Sequence, residues 1–374
     1  MSESPETQDS PESSRIPGTE GNAETHGTNP LPHRTSDAPA MYPTVQPPSA
    51  TFILQLFVIP LVIVSIIVML WLMFSWLAHM GSNPRDMVRG LKKLDEVSWQ
   101  RALTLADVLR NSEYDALKDD IDMSVELAAV LQAQIDAGDT EEQAVKLRMF
   151  LCRALGEFRT AEVVPVLVTA ANPERDSADI DVCRSAVQAL AVYTSNQDGH
   201  YQNRDQVLKT VLEASRAHSE GGTDKMARDE LRSTAAFVLG VLGDTAALDR
   251  LALMLNDAHA NSRYNAALGL ARQGDARSIP LLLEMLDPAN EESAETEPTE
   301  SAKASKRLAV IKNGIEGAAK LAVKNPQLQV DELISALEAV IESELRLLHK
   351  RVRHGIRINA QDALLTIRAR KIGK

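Results

Sequence analysis

The chain has 374 residues, with 52 acidic against 40 basic side chains, a net charge of −12 and 4% aromatic residues. The acidic balance argues against a surface that wraps nucleic acid, and with only Cys152 and Cys183 there is no disulfide framework, as in a reducing compartment. Scarce aromatics beside abundant Ala and Leu, with no run of alternating β-branched residues, predict an all-α fold of stacked helices rather than a sandwich or barrel.

Residues 1–50 are rich in Pro, Ser, Thr, Glu and Gly and hold few bulky apolar side chains. Such a stretch cannot bury a core, so a disordered acidic tail is expected. Residues 51–80 follow, almost wholly Leu, Ile, Val, Phe, Met and Trp, with no charged side chain between Asp37 and Arg85. The run exceeds the roughly 20 residues that cross a bilayer and reads as a single transmembrane helix. A cleaved signal peptide is disfavoured, because fifty polar residues precede the run and no basic region abuts it. Trp71 and Trp76 lie toward one end, where an aromatic belt belongs, and Pro60 can kink the helix. Arg85, Arg89, Lys92, Lys93 and Arg101 follow the run, whereas the nearest basic residue before it is Arg34. The positive-inside rule therefore places the C-terminal side in the cytoplasm and the tail outside the cell (inner) membrane.

Residues 84–374 form the remaining domain. Val88 to Leu109 and Tyr114 to Ile135 carry apolar residues at helical spacing and end at Gly138-Asp139, so 84–140 is read as an N-terminal cap. A repeated unit then appears. Leu231-Arg232-Ser233-Thr234-Ala235-Ala236-Phe237-Val238-Leu239-Gly240-Val241-Leu242-Gly243-Asp244 superposes on Ser262 to Asp275, Arg on Arg, Ala-Ala on Ala-Ala and Gly-Asp on Gly-Asp. The offset is about thirty-one residues, a solenoid period. Each copy continues into a second apolar stretch, so the unit is two short helices joined at Gly-Asp. Gly243 and Gly274 end the first helix, and Asp244 and Asp275 are placed to cap the second. Leu147 to Gly156 and Val182 to Ala191 are fainter copies, and Ile356 to Leu365 is a weaker one. Cys152 falls where other copies carry Ala and reads as a small buried thiol. Loops are expected at 172–179 and 196–205 and a break at Gly221-Gly222; residues 287–306, with Glu291, Glu292, Glu295, Glu297 and Glu300, read as an acidic disordered insertion. Leu308 to Val323 and Val330 to Ile341 are two further helices, after which the chain turns basic.

These units resemble HEAT repeats of the short type, also called phycobilisome-lyase-type HEAT-like repeats. The likeness runs clearly from Leu147 to Asp287 and in degraded form from Val88 to Ile367. It implies an α-solenoid of HEAT or armadillo-like helical repeats behind the transmembrane helix, with the Arg-x-x-Ala-Ala helix on the concave face. Counting one turn at a time along those helices gives Met149, Arg153 and Glu157; Arg184, Gln188 and Val192; Ser233, Phe237 and Val241; and Tyr264, Leu268 and Arg272. The partner-binding candidates are therefore Arg153, Arg184, Phe237, Tyr264, Leu268 and Arg272, aromatic and apolar anchors beside arginines. Lys350, Arg351, Arg353 and Arg357 form a second candidate, a patch for anionic lipid or an acidic partner, set against a capping helix with basic residues near its end.

No catalytic constellation emerges. None of the eight histidines is followed by Glu, and no HExxH, CxxC, P-loop, GxSxG or dinucleotide fingerprint occurs. This counts against deoxyhypusine hydroxylase, a HEAT-repeat enzyme family that holds iron with His-Glu dipeptides. The expectation is a non-enzymatic, single-pass membrane scaffold or adaptor with a protein partner, no cofactor, no metal and no nucleic acid. The alternative is a lyase-type or other enzyme subunit whose solenoid cradles a small molecule.

Overall fold

The computed structural model describes residues 49–79, 84–92, 97–174, 177–197, 201–218, 222–343 and 350–369. The tail expected over residues 1–50 lies outside the described residues up to position 48. The chain divides into two units, 1–72 and 73–374. Among the described residues every regular element is helical.

Helix α1 (Ala50–His79) opens at Ser49, whose side-chain oxygen accepts from the Phe52 amide at 3.2 Å. Its 30 residues rise roughly 45 Å at 1.5 Å each. Residues Ala50–Ser75 have a mean hydropathy of 3.0 and none of that window is buried, so this one helix is long and apolar enough to cross a membrane. Pro60 lies inside it, on a helix that continues for nearly twenty residues beyond.

The second unit is a two-layer array. The stretch from Val88 to Leu109 divides into α2 (Pro84–Leu91) and α3 (Ser98–Arg110). A 3-10 segment (Ser112–Asp119) leads to α4 (Ile121–Ala137), where Asp120 caps the first turn by accepting from the Met123 amide at 3.0 Å. Then come α5 (Glu142–Gly156), α6 (Val164–Ala170), α7 (Ile180–Ser195), α8 (Arg204–Ala214), α9 (Gly222–Leu242) and α10 (Thr245–Met254). The array continues with α11 (Ala260–Arg272), α12 (Ile279–Leu286), α13 (Glu300–Lys324), α14 (Asp331–Glu342) and α15 (Lys350–Ala369). Each odd helix from α3 to α15 stacks on the next odd helix, and each packs against the even helix before it. The even helices touch one another less, so the odd layer carries most of the repeat-to-repeat contact. The buried apolar residues form two clusters that meet at α11. Ala266 and Leu270 of α11 belong to the cluster running back to α2, while Tyr264 and Ala271 belong to the one running on to α15.

The closest approach of neighbouring odd helices falls at the residues after the Ala-Ala pair. A Cβ on Gly240 of α9 would lie 2.4 Å from the Gly269 Cα of α11, and one on Gly156 of α5 would lie 2.7 Å from the Ala189 Cα of α7. Gly243 and Gly274 end α9 and α11 at φ +69° and +80°, the left-handed conformation their position in the Gly-Asp turn requires. The two aspartates then part company. Asp275 caps its turn by accepting from the Arg277 amide at 3.0 Å, whereas the Asp244 carboxylate makes no cap and instead accepts from Arg204 at 2.9 Å.

The stretch 287–306 is folded, contrary to the disordered insertion its composition suggests. A short turn at Glu292–Ala294 buries Ser293 and Ala294, and α13 already begins at Glu300, capped by the Thr299 hydroxyl on the Ala302 amide at 3.1 Å. Basic side chains from the array and an amide of the stretch itself hold it. Arg307 donates to the Pro288 carbonyl at 2.6 Å, Arg263 pairs with Glu292, and Asn290 donates to the Glu284 carbonyl at 3.1 Å.

The close approach sets a prediction. Gly240→Ala adds a methyl group into backbone and should lower stability by about 1–3 kcal/mol. Gly355→Ala in α15, where a Cβ meets open space, should raise it by about 0.5–1 kcal/mol. Denaturant midpoints of the two variants check this; equal shifts would sink the close-contact reading.

Candidate functional site

The register of the odd helices is set by the arginine of each repeat. Arg148 is wholly buried; its Nη2 donates to the Asp139 carbonyl and to Asp179 Oδ1, both at 2.6 Å, and its Nη1 to the Gln134 carbonyl at 3.4 Å. Arg232 repeats the pattern, donating to the Ala217 carbonyl at 2.9 Å, to Asp229 at 2.7 Å and to both oxygens of Asp257 at 2.9 and 3.0 Å. Arg263 donates to the Asp257 carbonyl at 3.0 Å and pairs with Glu292. Each guanidinium thus ties the end of the preceding even helix, or the loop after it, to an acid in the loop that leads to the next odd helix. In α7 the equivalent position is Cys183, whose Sγ donates to the Ala171 carbonyl at 3.0 Å. Cys152, buried one turn beyond Arg148, has its thiol pushed well up by burial, which suppresses the thiolate.

Arg357 of α15 belongs to this series rather than to a surface patch. It is half-buried and its Nη2 donates to the Ser343 carbonyl, just past α14, at 3.2 Å. Arg353 is half-buried on the same helix, and the side chains of Lys350 and Arg351 lie outside the described residues.

With that register fixed, the fifth residue after each arginine position falls in one row across the odd layer: Arg153, Gln188, Phe237 and Leu268. Phe237 stands 45% exposed with the Arg272 guanidinium carbon 5.2 Å from its ring centre. Two cavities flank it. One of about 210 Å³ is lined by Phe237, Leu268, Arg272, Asn313, Glu316 and Lys320 among others; the second, of about 470 Å³, by Gln188, Ala191, Val192, Thr234, Phe237 and Val241 among others. Asn265 lines both, and its side-chain amide donates to the Ser233 carbonyl and hydroxyl, each at 3.0 Å. Arg272 Nη1 is buried and meets no hydrogen-bond acceptor among the described residues. The Glu316 carboxyl is held below its usual range by the Lys320 hydrogen bond, against an opposing effect of burial, and further by the Lys320, Arg272 and Lys312 charges.

Of the sequence candidates, Phe237, Leu268 and Arg272 therefore meet in one groove. Arg153 sits apart, its guanidinium 5.6 Å over the Phe150 ring, which itself stacks on Trp99 at 6.1 Å. Arg184 pairs with Asp181 on its own helix at 2.9 Å and lines neither cavity. Tyr264 leaves the set. It is 3% exposed, its hydroxyl donates to Glu284 Oε1 at 2.6 Å, and burial, then that carboxylate, raises it to about 12. The cause is geometric. A stride of four residues overshoots the 3.6-residue turn by about 40° each time, so Tyr264 stands about 80° around the helix from Arg272. Asn265, three residues before Leu268, takes its place. Asn313, Glu316 and Lys320 of α13 escaped sequence reasoning, although their spacing of three and four already puts them on one helix face. Among the described residues no group of three or more His, Cys, Asp or Glu is placed to hold a metal.

Residues 224–297, from α9 through α12 to the turn before α13, match the family described as HEAT repeats. No curated protein matches the chain. The match and the two-layer helical array together support a HEAT-repeat α-solenoid.

The buried arginines carry two predictions. Arg148→Met strands the buried Asp179 carboxylate and should cost about 3–5 kcal/mol. Arg89→Ala, which removes an exposed pair with Asp86, should cost under about 1 kcal/mol; chemical denaturation of both compares them. The second concerns acid. Burial pushes the Asp229 and Asp257 carboxyls up, but hydrogen bonds from Lys225 and then Arg232 to Asp229, and from Arg232 and the His259 amide to Asp257, more than offset it and leave both depressed. Their contribution is therefore present above about pH 4 and lost as the pH falls through the folded values. Burial also depresses His259, despite Glu230 and Asp229 nearby, so the folded chain resists a proton the unfolded chain accepts. The melting temperature should therefore already fall as the pH drops below about 6.5. His259→Gln should flatten that upper part and leave the loss near pH 4; an unchanged profile would refute the assignment.

Proposed function

We propose that the chain is a single-pass membrane scaffold of the short, phycobilisome-lyase-type HEAT class, in which α1 spans the bilayer and the solenoid holds a protein partner on the cytoplasmic side. The observation that carries the binding reading is the groove at Phe237. A large aromatic ring stands 45% exposed between two cavities, with a buried arginine atom lacking an acceptor beside it. Leaving such a ring in water forgoes on the order of 1 kcal/mol of burial, and an aromatic beside an arginine is the composition of interface hot spots. Membrane anchoring is supported by the unburied, charge-free helix Ala50–Ser75, and its orientation by the five basic residues that follow. The chain acts by binding, with no catalytic role, cofactor or nucleic-acid partner. A small molecule held in the groove is the competing reading.

Two experiments test this. In cells expressing the full chain, Ser13→Cys should react with an impermeant maleimide from outside and Asp362→Cys only after permeabilisation, with the protein resisting carbonate extraction. The reverse labelling would invert the topology, and carbonate release would remove the anchor. Separately, a photo-crosslinking amino acid at position 237 should capture a protein in the native membrane, while the same group at the exposed Leu253 of α10 should not. Equal capture at both, or none at 237, would refute the groove as the partner site.

A further inference from the structure

The two cavities at Phe237 differ in chemistry, and the difference constrains what can bind them. The smaller one gathers Arg272 and Lys320 around a single carboxylate, Glu316, and the Lys312 charge also reaches Glu316. Two lining cations face one lining anion, in a chain whose net charge is −12. Lys320 is engaged with Glu316 at 2.5 Å, but Arg272 Nη1 is buried with no acceptor among the described residues. The Arg272 side chain lines the cavity without a carboxylate partner among the described residues, so an incoming anion would gain a charge-assisted hydrogen bond there. The Arg272 plane is already fixed against Phe237, so little ordering remains to be done on binding. Glu316 in the same cavity repels a dianion such as phosphate more strongly than a monoanion, which favours a carboxylate. The larger cavity carries Ala191, Val192 and Val241 against the other side of Phe237, with Gln188, Ser195 and Thr234 at its edge. That lining suits a bulky apolar side chain. Because the Phe237 ring separates the two, a ligand must present its carboxylate and its apolar group on one chain long enough to straddle the ring.

We infer that the groove recognises a peptide segment bearing one Asp or Glu and one bulky apolar side chain, the carboxylate accepting from Arg272 in the smaller cavity and the apolar group filling the larger. This rests on the protein-scaffold reading above and specifies its partner. Arg272 and Phe237 act together as the specificity element: the ring orients the guanidinium and divides the two subsites.

The test is selection of a random 12-residue peptide library, displayed on phage, on the full-length protein in detergent. Enriched peptides should pair an acidic residue with Phe, Trp, Leu or Met at a narrow range of spacings. Synthetic copies should bind about tenfold more weakly to Arg272→Gln and to Phe237→Ala, with helicity and melting temperature retained in both, and unchanged to Arg216→Gln, which lines a different cavity. Replacing the peptide's acid by Lys should restore binding to Arg272→Glu. If peptides are enriched but are insensitive to Arg272→Gln, the acid-and-apolar inference falls while the scaffold reading stands. If no peptide is enriched, the peptide inference falls while the scaffold reading rests on the crosslinking at position 237; if 3-phenylpropionate alone binds and is lost with Arg272→Gln, both fall and the groove is a small-carboxylate site.

Discussion

A guanidinium buried between the end of one helix pair and the acid of the next is the contact on which the rest of this array depends. Arg148 and Arg232 each satisfy a carbonyl left open where the preceding even helix stops, and each reaches forward to Asp179 or Asp257. Helix ends leave several carbonyls without intrahelical partners, and a buried charge is costly unless fully paired. The arginine meets both demands at once, because its donors point in several directions in one plane. Moving a helix along its axis would break donors on two sides, so the register between repeats is fixed. The substitution of Cys183 at the same position in α7 keeps the backward contact, to the Ala171 carbonyl, with a far shorter side chain.

Register and small residues together position the groove. Once the arginines fix the sliding of the odd helices, Gly240 and Gly269 allow α9 and α11 to come together at their backbones. That approach brings Phe237 of one helix to Arg272 of the next, 5.2 Å from guanidinium carbon to ring centre. The exposed aromatic stands above this close backbone approach, and the cavities on either side are the spaces between neighbouring odd helices. The groove is a property of the pair α9–α11 and its neighbours, rather than of any one repeat.

The loop at 287–306 and the residues Tyr264 and Arg357 show where one-dimensional reading loses information. An acidic, proline-containing stretch reads as solvated because composition does not disclose that Arg263 and Arg307 await its carboxylates and carbonyls. Tyr264 falls on the expected face under a four-residue count, yet the true helical turn carries it into the second core cluster. Arg357 looks like one of several C-terminal basic residues, while its alignment with Arg232 in the weak last copy already marks it as the repeat arginine.

Periodicity and composition were enough to establish that this chain is helical, that a charge-free apolar helix precedes the array, and that the unit is a helix pair turning at Gly-Asp. These features depend on residues near one another in sequence, where hydrophobic spacing and the freedom of glycine act directly. Phe237, Leu268 and Arg272 were also legible, since they share one face on strongly matched copies. The residues that complete that face emerge only from the packed array. Asn313, Glu316 and Lys320 come from a helix with no clear repeat signature, and the missing acceptor at Arg272 exists only once α9, α11 and α13 are packed together. Burial and pairing of a polar atom are set by neighbours distant in sequence, and no local pattern encodes them.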